Sequence, residues 1–514
     1  MKTKLLLTTV SACFLLHSAF GQGALTPPGA PAPTMKTLTQ IEPRTPIATA
    51  PFTISIPGSY YLTTNVTVSS GNAITIAANG VTLDLNGFTI SSTAASAAGY
   101  GIYLNSCRNV TISNGHIQGG VTNSGSAVFT GSGFDTGISF SGITPNVLIS
   151  KVSISGCLSY GIFLNSDVSI VVESCTVQTV GLSGISASTI KGCEAADCGG
   201  IAIIGNQISD CRGASVGVGG IGIFAHGFTT DNGQAQNCYG SSTGSGAGLA
   251  ASTALNCVGY NTGGGTALSA HTAQNCFGWN YGGTGAGLLA YTAQNCSGFS
   301  SGTNYGLVVG YSGQNCFALS TGGSGFNVYD GGTLISCQAN TCATGITAGN
   351  RCTIKDCTAS NNSTNGIVAG QSCLISGCTV SGNGTATVGI GITVGTRSTI
   401  QDCSANDNRS DGILAATDCT VLNNHASHNG VGTIIAAGNP NAAGIHTSGT
   451  GSRIDGNHTR DNSGYGVKSD GGAGADTITR NNSGGNGTQY SPSTGTTFAP
   501  VQSPATATSP WANF

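Results

Sequence analysis

Short segments in which apolar and polar residues alternate recur along the chain at intervals of about 20 residues. TIKDC, LISGC and TIQDC are examples, and a Gly-Ile or Gly-Val pair opens the next segment. Alternation with a period of two predicts β-strands that bury one face. Three short strands separated by turns make one coil of a solenoid, because a single coil buries its apolar side only against its neighbours.

Cysteine and asparagine occupy equivalent positions in successive repeats. We call the first such position the ladder slot, and it is filled in turn by Cys157, Cys175, Cys193, Cys211, Cys238, Cys257, Cys276, Cys296, Cys316, Cys337, Cys357, Cys378, Cys403, Asn424, Asn457 and Asn481. A second slot follows a few residues later and contains Cys198, Cys342, Asn362, Asn383, Asn408, Asn429, Asn462 and Asn486. Stacked asparagines are expected to hydrogen-bond along the solenoid, and stacked cysteines to fill the same space as small hydrophobes.

The redox state of the cysteines is left open by the sequence. All but Cys13 of the 20 cysteines lie beyond the N-terminal segment, and cysteine-rich exported proteins often contain disulfides. Stacked cysteines, however, lie about 4.8 Å apart with parallel Cα–Cβ bonds, which do not converge on a disulfide. The spacing therefore favours ladders of buried free thiols. It is also unlike a zinc pattern, and no histidine recurs beside it, so we predict no metal site.

The N-terminal repeats resemble a known family. PGSYYLTTNVTV and NAITIAANGVTLDLNGFTI resemble the first coils of exported bacterial proteins of the pectin-lyase-like superfamily that have no assigned activity, and the closing SPWANF resembles their tail. The resemblance extends over about residues 45–490 and implies an all-β fold, a single right-handed parallel β-helix of roughly twenty coils. That superfamily includes lyases, hydrolases, epimerases, adhesins and tail proteins, so the fold does not fix the function.

The segments outside the repeats predict an exported protein. Lys2 and Lys4, the apolar run that follows and the small residues Ala19 and Gly21 predict a signal peptide at 1–21 and a secreted or cell-surface location. A lipoprotein cleavage box before Cys13 is the alternative. A Pro-rich linker is expected at 22–50, the β-helix at 51–490 and a loose Ser/Thr/Pro-rich tail at 491–514, with insertions at 118–142, 212–232 and 430–443. No later apolar run is long enough to predict a transmembrane segment.

Charge is scarce. Only 7% of residues are charged and the net charge is −3, so nothing directs the chain to nucleic acid. Between residues 213 and 330 the acidic residues are Asp231 and Asp330, and Lys and Arg are absent. The middle third therefore cannot hold a pair of carboxylates for glycoside hydrolysis.

The C-terminal coils contain the one charged constellation. Asp407, His428 and Asp461 each lie four residues after the ladder slot, with Arg409 nearby, and in consecutive coils they would form an outward row. Two carboxylates beside a histidine can transfer a proton. The alternative is a solvated polar end of the rod. If the chain is a lyase, its resemblance to the superfamily implies calcium; otherwise we predict no cofactor.

An aromatic row follows the ladder slot in the middle coils. Its candidate ligand-binding residues are Tyr239, Tyr260, Phe277, Trp279, Phe299 and Phe317. The residue between two aromatic residues of one coil is small, as in Gly278 between Phe277 and Trp279. In later coils the equivalent residue is apolar and its two neighbours are polar. If the middle coils alternate as the later coils do, the rings face outward as a strip, which would suit the faces of sugar rings. The alternative buries them as an interior stack. A further row, His271, Tyr291 and Tyr311, is expected inside.

Three functions fit these features. The leading interpretation is an exported, non-catalytic β-helix that acts as a surface or extracellular binding rod for a polysaccharide or cell-surface glycan. The first alternative is a polysaccharide lyase or glycoside hydrolase with its site around Asp407, His428, Arg409 and Asp461. The second is a purely structural element of the envelope. Scarce charge favours the first and third interpretations.

Overall fold

The computed structural model describes residues 41–164, 169–226, 232–385, 389–431, 439–472 and 476–514. The chain divides into two units between Thr45 and Pro46, and the second comprises residues 46–514. In the first unit, Arg44 and Glu42 form an ion pair at 2.8 Å. The predicted signal peptide, the linker as far as residue 40, and parts of two insertions, 227–231 and 432–438, lie outside the described residues.

The second unit is a parallel β-solenoid, as the repeats predict. Each short strand pairs in parallel with the equivalent strands of the coils before and after it, for example Ile346 with Ile367 and Ile367 with Ile392. The described residues form about 20 turns. Each coil contributes to three faces. Face 1 is formed by the strand at the Gly-Ile pair, and faces 2 and 3 follow in chain order. The chain is therefore all-β, with one continuous apolar core along the solenoid.

The strand bounds are as follows. Face 1 contains Phe52–Ile54, Ile74–Ile76, Tyr100–Asn105, Thr136–Ser141, Tyr160–Phe163, Ile185–Ser186, Ile203–Gly205, Ile223–Ala225, Ser324–Val328, Thr344–Ala348, Ile367–Ala369, Ile392–Val394, Ile413–Ala415, Ala443–Thr447, Tyr465–Ser469 and Thr488–Ser491. Face 2 contains Gly58–Leu62, Val81–Asp84, Ile170–Glu173, Thr189–Lys191, Gln207–Ser209, Gln234–Gln236, Thr333–Ile335, Thr353–Lys355, Leu374–Ser376, Thr399–Gln401, Thr420–Leu422, Arg453–Asp455, Thr477–Thr479 and Thr497–Phe498.

Face 3 and the strands that cross a corner complete the solenoid. Face 3 contains Val66–Val68, Thr89–Ser92, Thr176–Val180, Glu194–Cys198, Arg212–Ser215, Tyr239–Ser242, Val258–Asn261, Phe277–Asn280, Ser297–Ser300, Phe317–Ser320, Gln338–Asn340, Thr358–Ser360, Thr379–Ser381, Ser404–Asn406, His425–Ser427, His458–Arg460 and Asn482–Gly484. Leu249–Leu255, Leu268–Gln274, Leu288–Gln294 and Leu307–Gln314 run from face 1 to face 2, and Val110–Gln118 and Val147–Cys157 run from face 2 to face 3. Thr45–Ile47 precedes them.

Cysteine and asparagine are interchangeable in the ladder slot because both accept the same backbone hydrogen bond. The N–H of Cys316 donates to Sγ of Cys337 at 3.4 Å. Further along the rod, the N–H of Cys403 donates to Oδ1 of Asn424 at 2.9 Å, and the N–H of Asn424 donates to Oδ1 of Asn457 at 2.8 Å. The predicted ladders are therefore present, and the members bonded in this way satisfy buried turn backbone of the preceding coil.

The cysteines of the described residues are free and buried, as the slot geometry favoured. Burial raises the pKa of Cys157 to about 12, because desolvation disfavours the thiolate. The Cys157 thiol therefore remains protonated at neutral pH. The buried cysteines fill the interior as small side chains.

The C-terminal tail is not loose, and this expectation was wrong. Thr497–Phe498 pairs in parallel with Thr477–Thr479, and the amide of Asn513 enters the ladder slot above Asn481, whose N–H donates to Asn513 Oδ1 at 3.0 Å. The hydroxyl of Tyr490 donates to the carbonyl of Phe514 at 3.0 Å. The tail therefore supplies the next ladder rung and covers the last coil, which a composition rich in Ser, Thr and Pro did not reveal.

Within the predicted insertion at 118–142, Gly120–Asn123 and Phe129–Ser132 form an antiparallel hairpin, whereas Thr136–Ser141 is a regular strand of face 1. In the part of the chain that the structure describes, no helix has the length and apolar character required to span a bilayer.

Candidate functional site

The aromatic row of face 3 lies on the outside of the solenoid. In Phe277–Asn280 the burial alternates, so that Gly278 and Asn280 point inward while Phe277 and Trp279 face solvent. Trp279 is 40% exposed and Phe317 38%. We call the outward rings the aromatic strip, and it consists of Tyr239, Tyr260, Phe277, Trp279, Phe299 and Phe317. This placement agrees with the alternation, whereas the role of the rings in ligand binding remains a prediction.

The glycines between the rings show why the opposite orientation is excluded. A Cβ built at Gly278 would lie 2.1 Å from the carbonyl oxygen of Gly287, and one at Gly259 would lie 2.1 Å from that of Ala267. Faces 3 and 1 are therefore in backbone contact in these coils. Because the interior here has no room for a methyl group, large rings fit only outside.

Trp279 is the centre of the aromatic strip. Its ring makes edge-to-face contacts with Tyr260, Phe277 and Phe299, at centroid distances of 6.3, 6.0 and 5.3 Å respectively. Such contacts are favourable between aromatic quadrupoles, and they hold each ring in a defined orientation. The strip is therefore a pre-arranged surface.

A cleft opens within the strip where one ring is missing. Phe277, Ser297 and Phe317 occupy the same position of three consecutive coils, so the small Ser297 leaves a gap between two phenylalanines. The resulting cavity has a volume of about 180 Å³ and its walls are almost entirely apolar, with Trp279 and Phe299 on the adjoining side. Its size and apolar walls suit a compact apolar group.

At its N-terminal end the strip meets charged residues. The guanidinium of Arg212 lies over the ring of Tyr239, 5.1 Å from its centroid, in a cation–π contact. Glu194 occupies the equivalent position in the preceding coil. Charged side chains therefore lie next to the strip at this end, whereas the rings of the following coils are surrounded by neutral side chains.

The row of His271, Tyr291 and Tyr311 lies outside, and the expectation of an interior row was wrong. Tyr291 is 41% and Tyr311 68% exposed, and their rings stack at a centroid distance of 5.3 Å. The strand Leu268–Gln274 crosses the corner between faces 1 and 2, where the consecutive residues His271 and Thr272 both face solvent. The alternation of inward and outward side chains expected for a flat strand is therefore broken at this corner.

The charged row predicted in the C-terminal coils is formed, but its members are solvated. Pairing of Ser404–Asn406 with His425–Ser427, and of that strand with His458–Arg460, places Asp407, His428 and Asp461 in consecutive coils. His428 Nε2 lies 3.9 Å from Asp461 Oδ2, and both side chains are about half exposed. Arg409 is half-buried beyond the inward Asn408. An exposed pair of this kind contributes about 0–1 kcal/mol.

Backbone conformation explains why these residue types occur there. Asp407, His428 and Asp461 have φ values of 58°, 54° and 53°, in the left-handed region. Asn, Asp and His are enriched in that region among residues other than glycine. The row therefore has a conformational explanation that requires no chemistry.

A different charged cluster lies on face 1, and the sequence analysis missed it. His446 hydrogen-bonds through Nδ1 to Asp411 and through Nε2 to Asp470, both at 2.9 Å, and Lys468 Nζ lies 2.8 Å from Asp470. Burial lowers the pKa of His446, but its bonds to the two carboxylates outweigh burial and raise the pKa overall. His446 and Lys468 both lie two residues after the glycine that opens face 1, a signal that the insertion at 430–443 obscured.

Asp455 forms a second ionic centre at the same end. It is buried, and the guanidinium of Arg480 donates from Nε to Asp455 Oδ1 at 2.7 Å, with Arg453 on the other side. These bonds, above all that of Arg480, lower the pKa of Asp455 to about 2. Within each cluster, the charged side chains bond to one another. Among the described residues, no group of three His, Cys, Asp or Glu is arranged to hold a metal ion.

Comparison with known proteins gives one family match. Residues 53–189 and 290–483, more than half of the chain, match the model of the right handed beta helix region. Curated protein sequences give no match.

Several solved structures are similar at low identity. The A-module of the mannuronan C-5 epimerase AlgE4 of Azotobacter vinelandii is 13% identical, with 89% of this chain and 91% of that chain covered, and a TM-score of 0.20. A double mutant of the periplasmic alginate epimerase AlgG is 8% identical, with coverages of 82% and 77% and a TM-score of 0.23. The Dettilon tailspike protein is 11% identical, with coverages of 84% and 62% and a TM-score of 0.18. These values support no conclusion about chemistry.

Proposed function

The chain belongs to the right-handed β-helix family, and we propose that it is an exported, non-catalytic rod that binds a polysaccharide or cell-surface glycan along the aromatic strip. The observation that carries the proposal is the exposure of ordered rings around Trp279 together with the apolar cleft at Ser297. Contiguous exposed aromatic surface is unusual on a soluble protein and marks a binding site.

The chemistry of the strip supports binding without catalysis. Between residues 213 and 330 the sequence contains no Lys or Arg, and its acidic residues are Asp231 and Asp330. Hydrolysis of a glycosidic bond uses a pair of carboxylates close to the bond that breaks. A ligand on the strip would contact rings, hydroxyls and amides, which orient a sugar, and would find no pair of carboxylates beside it.

The experiment that tests the proposal replaces Trp279 and Phe299 by alanine and measures retention on a panel of insoluble polysaccharides. We expect retention to fall about thirtyfold or more, because an aromatic residue at the centre of a binding site contributes about 2 kcal/mol or more. Stability should fall by only about 1 kcal/mol, since edge-to-face contacts at a surface contribute about 0.5–1.5 kcal/mol.

The matched control replaces Tyr291 and Tyr311, a stacked and exposed pair on another corner of the solenoid. This double variant should retain the glycan as the unmodified protein does. Equal losses of retention in both double variants would refute the strip as the binding site, and so would a large loss of stability in the Trp279 and Phe299 variant.

A further inference from the structure

A ladder of exposed asparagines runs beside the aromatic strip. Its members each lie one residue before the ladder slot and are Asn237, Asn256, Asn275, Asn295 and Asn315. From coil to coil, Nδ2 of one amide donates to Oδ1 of the amide before it, at 3.1 Å for Asn275 to Asn256 and 3.2 Å for Asn295 to Asn275. The first member, Asn237, donates to Asp210 at 3.0 Å. This ladder faces solvent, unlike the inner ladders.

The exposed ladder keeps hydrogen-bonding capacity for a ligand. A side-chain amide has two N–H groups and an oxygen with two lone pairs, and bonding along the ladder uses one N–H and one lone pair of each amide. The second N–H and the second lone pair remain at every internal rung. Because neighbouring amides hold one another in place, a ligand that binds them orders little that is not already ordered.

The ladder and the strip run side by side along the solenoid, and we call the surface between them the groove. At its N-terminal end a concavity of about 610 Å³ is lined by Asn237 and Asn256 on one side and by Tyr239 and Val258 on the other. Both rows follow the solenoid axis and repeat once per coil, at about 4.8 Å. A chain molecule in the groove would therefore lie along the axis, with amides on one side and rings on the other.

The charges of the groove disfavour an anionic ligand. Its charged lining residues are the carboxylates Glu194 and Asp210 and the guanidinium Arg212, all exposed, so carboxylates outnumber cations. Arg212 already lies over Tyr239. The next coils contribute no Lys or Arg at all. A polyanion placed here would meet two carboxylates and one guanidinium, and no cation in the following coils, so its charges would be opposed more than compensated.

We propose that the ligand of this groove is a neutral polysaccharide, bound along the rod axis between the exposed asparagine ladder and the aromatic strip. The proposal rests on the proposed function and names its ligand class. Amides bind the hydroxyl groups of neutral sugars as donors and as acceptors, while the rings cover the apolar C–H face. Acidic polysaccharides, such as polyuronates, should bind this groove more weakly than neutral ones.

The first arm of the test compares ligands. Purified protein is incubated with an insoluble neutral β-glucan, a soluble neutral mannan and a polyuronate, each at low and at physiological ionic strength. We expect the neutral glycans to bind equally at both ionic strengths and the polyuronate to bind at least about tenfold more weakly, a difference of about 1.4 kcal/mol. Polyuronate binding that falls steeply with salt and is lost in the Trp279 and Phe299 variant would overturn the neutral ligand while leaving the strip as a binding site.

The second arm removes the exposed ladder. Asn275→Gly with Asn295→Gly keeps the left-handed backbone that glycine tolerates, and removes two rungs. The control is Asn146→Gly, since Asn146 is also exposed, left-handed and bonded to one neighbour, Asn109, at 3.0 Å, but lies far from the strip along the chain. We expect the double variant to bind the neutral glycan about tenfold more weakly, the order of two lost hydrogen bonds.

Each remaining outcome has one consequence. Unchanged binding in the double variant, or an equal loss in Asn146→Gly, would overturn the role of the ladder. Failure of the unmodified protein to bind any glycan would overturn the proposed function together with this inference.

Discussion

Gly278 tests the packing that forces the aromatic strip outward. In Gly278→Ala the new Cβ would meet the carbonyl oxygen of Gly287 at 2.1 Å, the carbonyl carbon at 2.7 Å and Cβ of Leu288 at 3.0 Å. These are backbone and core atoms, so relief requires faces 3 and 1 to separate by about an ångström in a coil that is paired on both sides. Overpacking of this kind costs about 1–3 kcal/mol.

Local opening is the appropriate measurement, because a long solenoid need not unfold in a single step. Hydrogen exchange followed by mass spectrometry reports the free energy of opening for each segment. A loss of about 2 kcal/mol raises the exchange of amides in Phe277–Asn280 and Leu288–Gln294 by about thirtyfold. Coils far along the rod should exchange as before, because each coil contacts only its neighbours.

The control is Gly264→Ala, in the turn that precedes the strand Leu268–Gln274. A Cβ there approaches nothing closer than Thr284 Oγ1, at 3.8 Å, and exchange should remain unchanged. Equal exchange in Gly278→Ala and the unmodified protein would show that the interior has room for side chains in these coils. The reason given for the outward orientation of the rings would then be wrong.

Two further predictions concern the C-terminal coils. Asn383→Ala should destabilise its coil by about 3 kcal/mol, which would be seen as faster hydrogen exchange. The reason is that Asn383 accepts two hydrogen bonds from Asn362 and donates to Asn408 and to the carbonyl of Ala359, all of them buried. Unchanged exchange would contradict the ladder. For His446, whose pKa is raised, the stabilisation is fully present below the unfolded value of about 6.5 and is lost as pH rises through the folded pKa. His446→Gln should therefore lower the urea midpoint of unfolding at pH 6, and the difference from the unmodified protein should shrink as the pH rises. A difference that grows with pH would refute the raised pKa of His446.

The fold was predictable because its signals are local and repeat. Each ladder slot shows the same residue types at the same offset, so Cys403 and Asn424 predict successive rungs of one ladder although their side chains differ in chemistry. Repetition therefore compensates for the weakness of each signal. The same reasoning failed at the tail, since Asn513 fills a rung alone, without a repeat around it.

The candidate site was predictable in part, for a geometric reason. Alternation holds along face 3, so the outward direction of Trp279 follows from that of later coils. At the corner between faces 1 and 2 two consecutive residues face solvent, and the expectation for Tyr291 failed there. The cluster around His446 was missed because Asp411 and Asp470 reach it from different coils, with an insertion between.

Binding without catalysis is tested most directly by incubating the purified protein with a panel of neutral and acidic polysaccharides, and scoring both retention and the release of unsaturated or reducing ends. We expect retention on at least one neutral glycan with no new ends released. Release of either kind of end would contradict a non-catalytic rod, and would direct attention to Asp407, His428, Arg409 and Asp461 and to the cluster around His446.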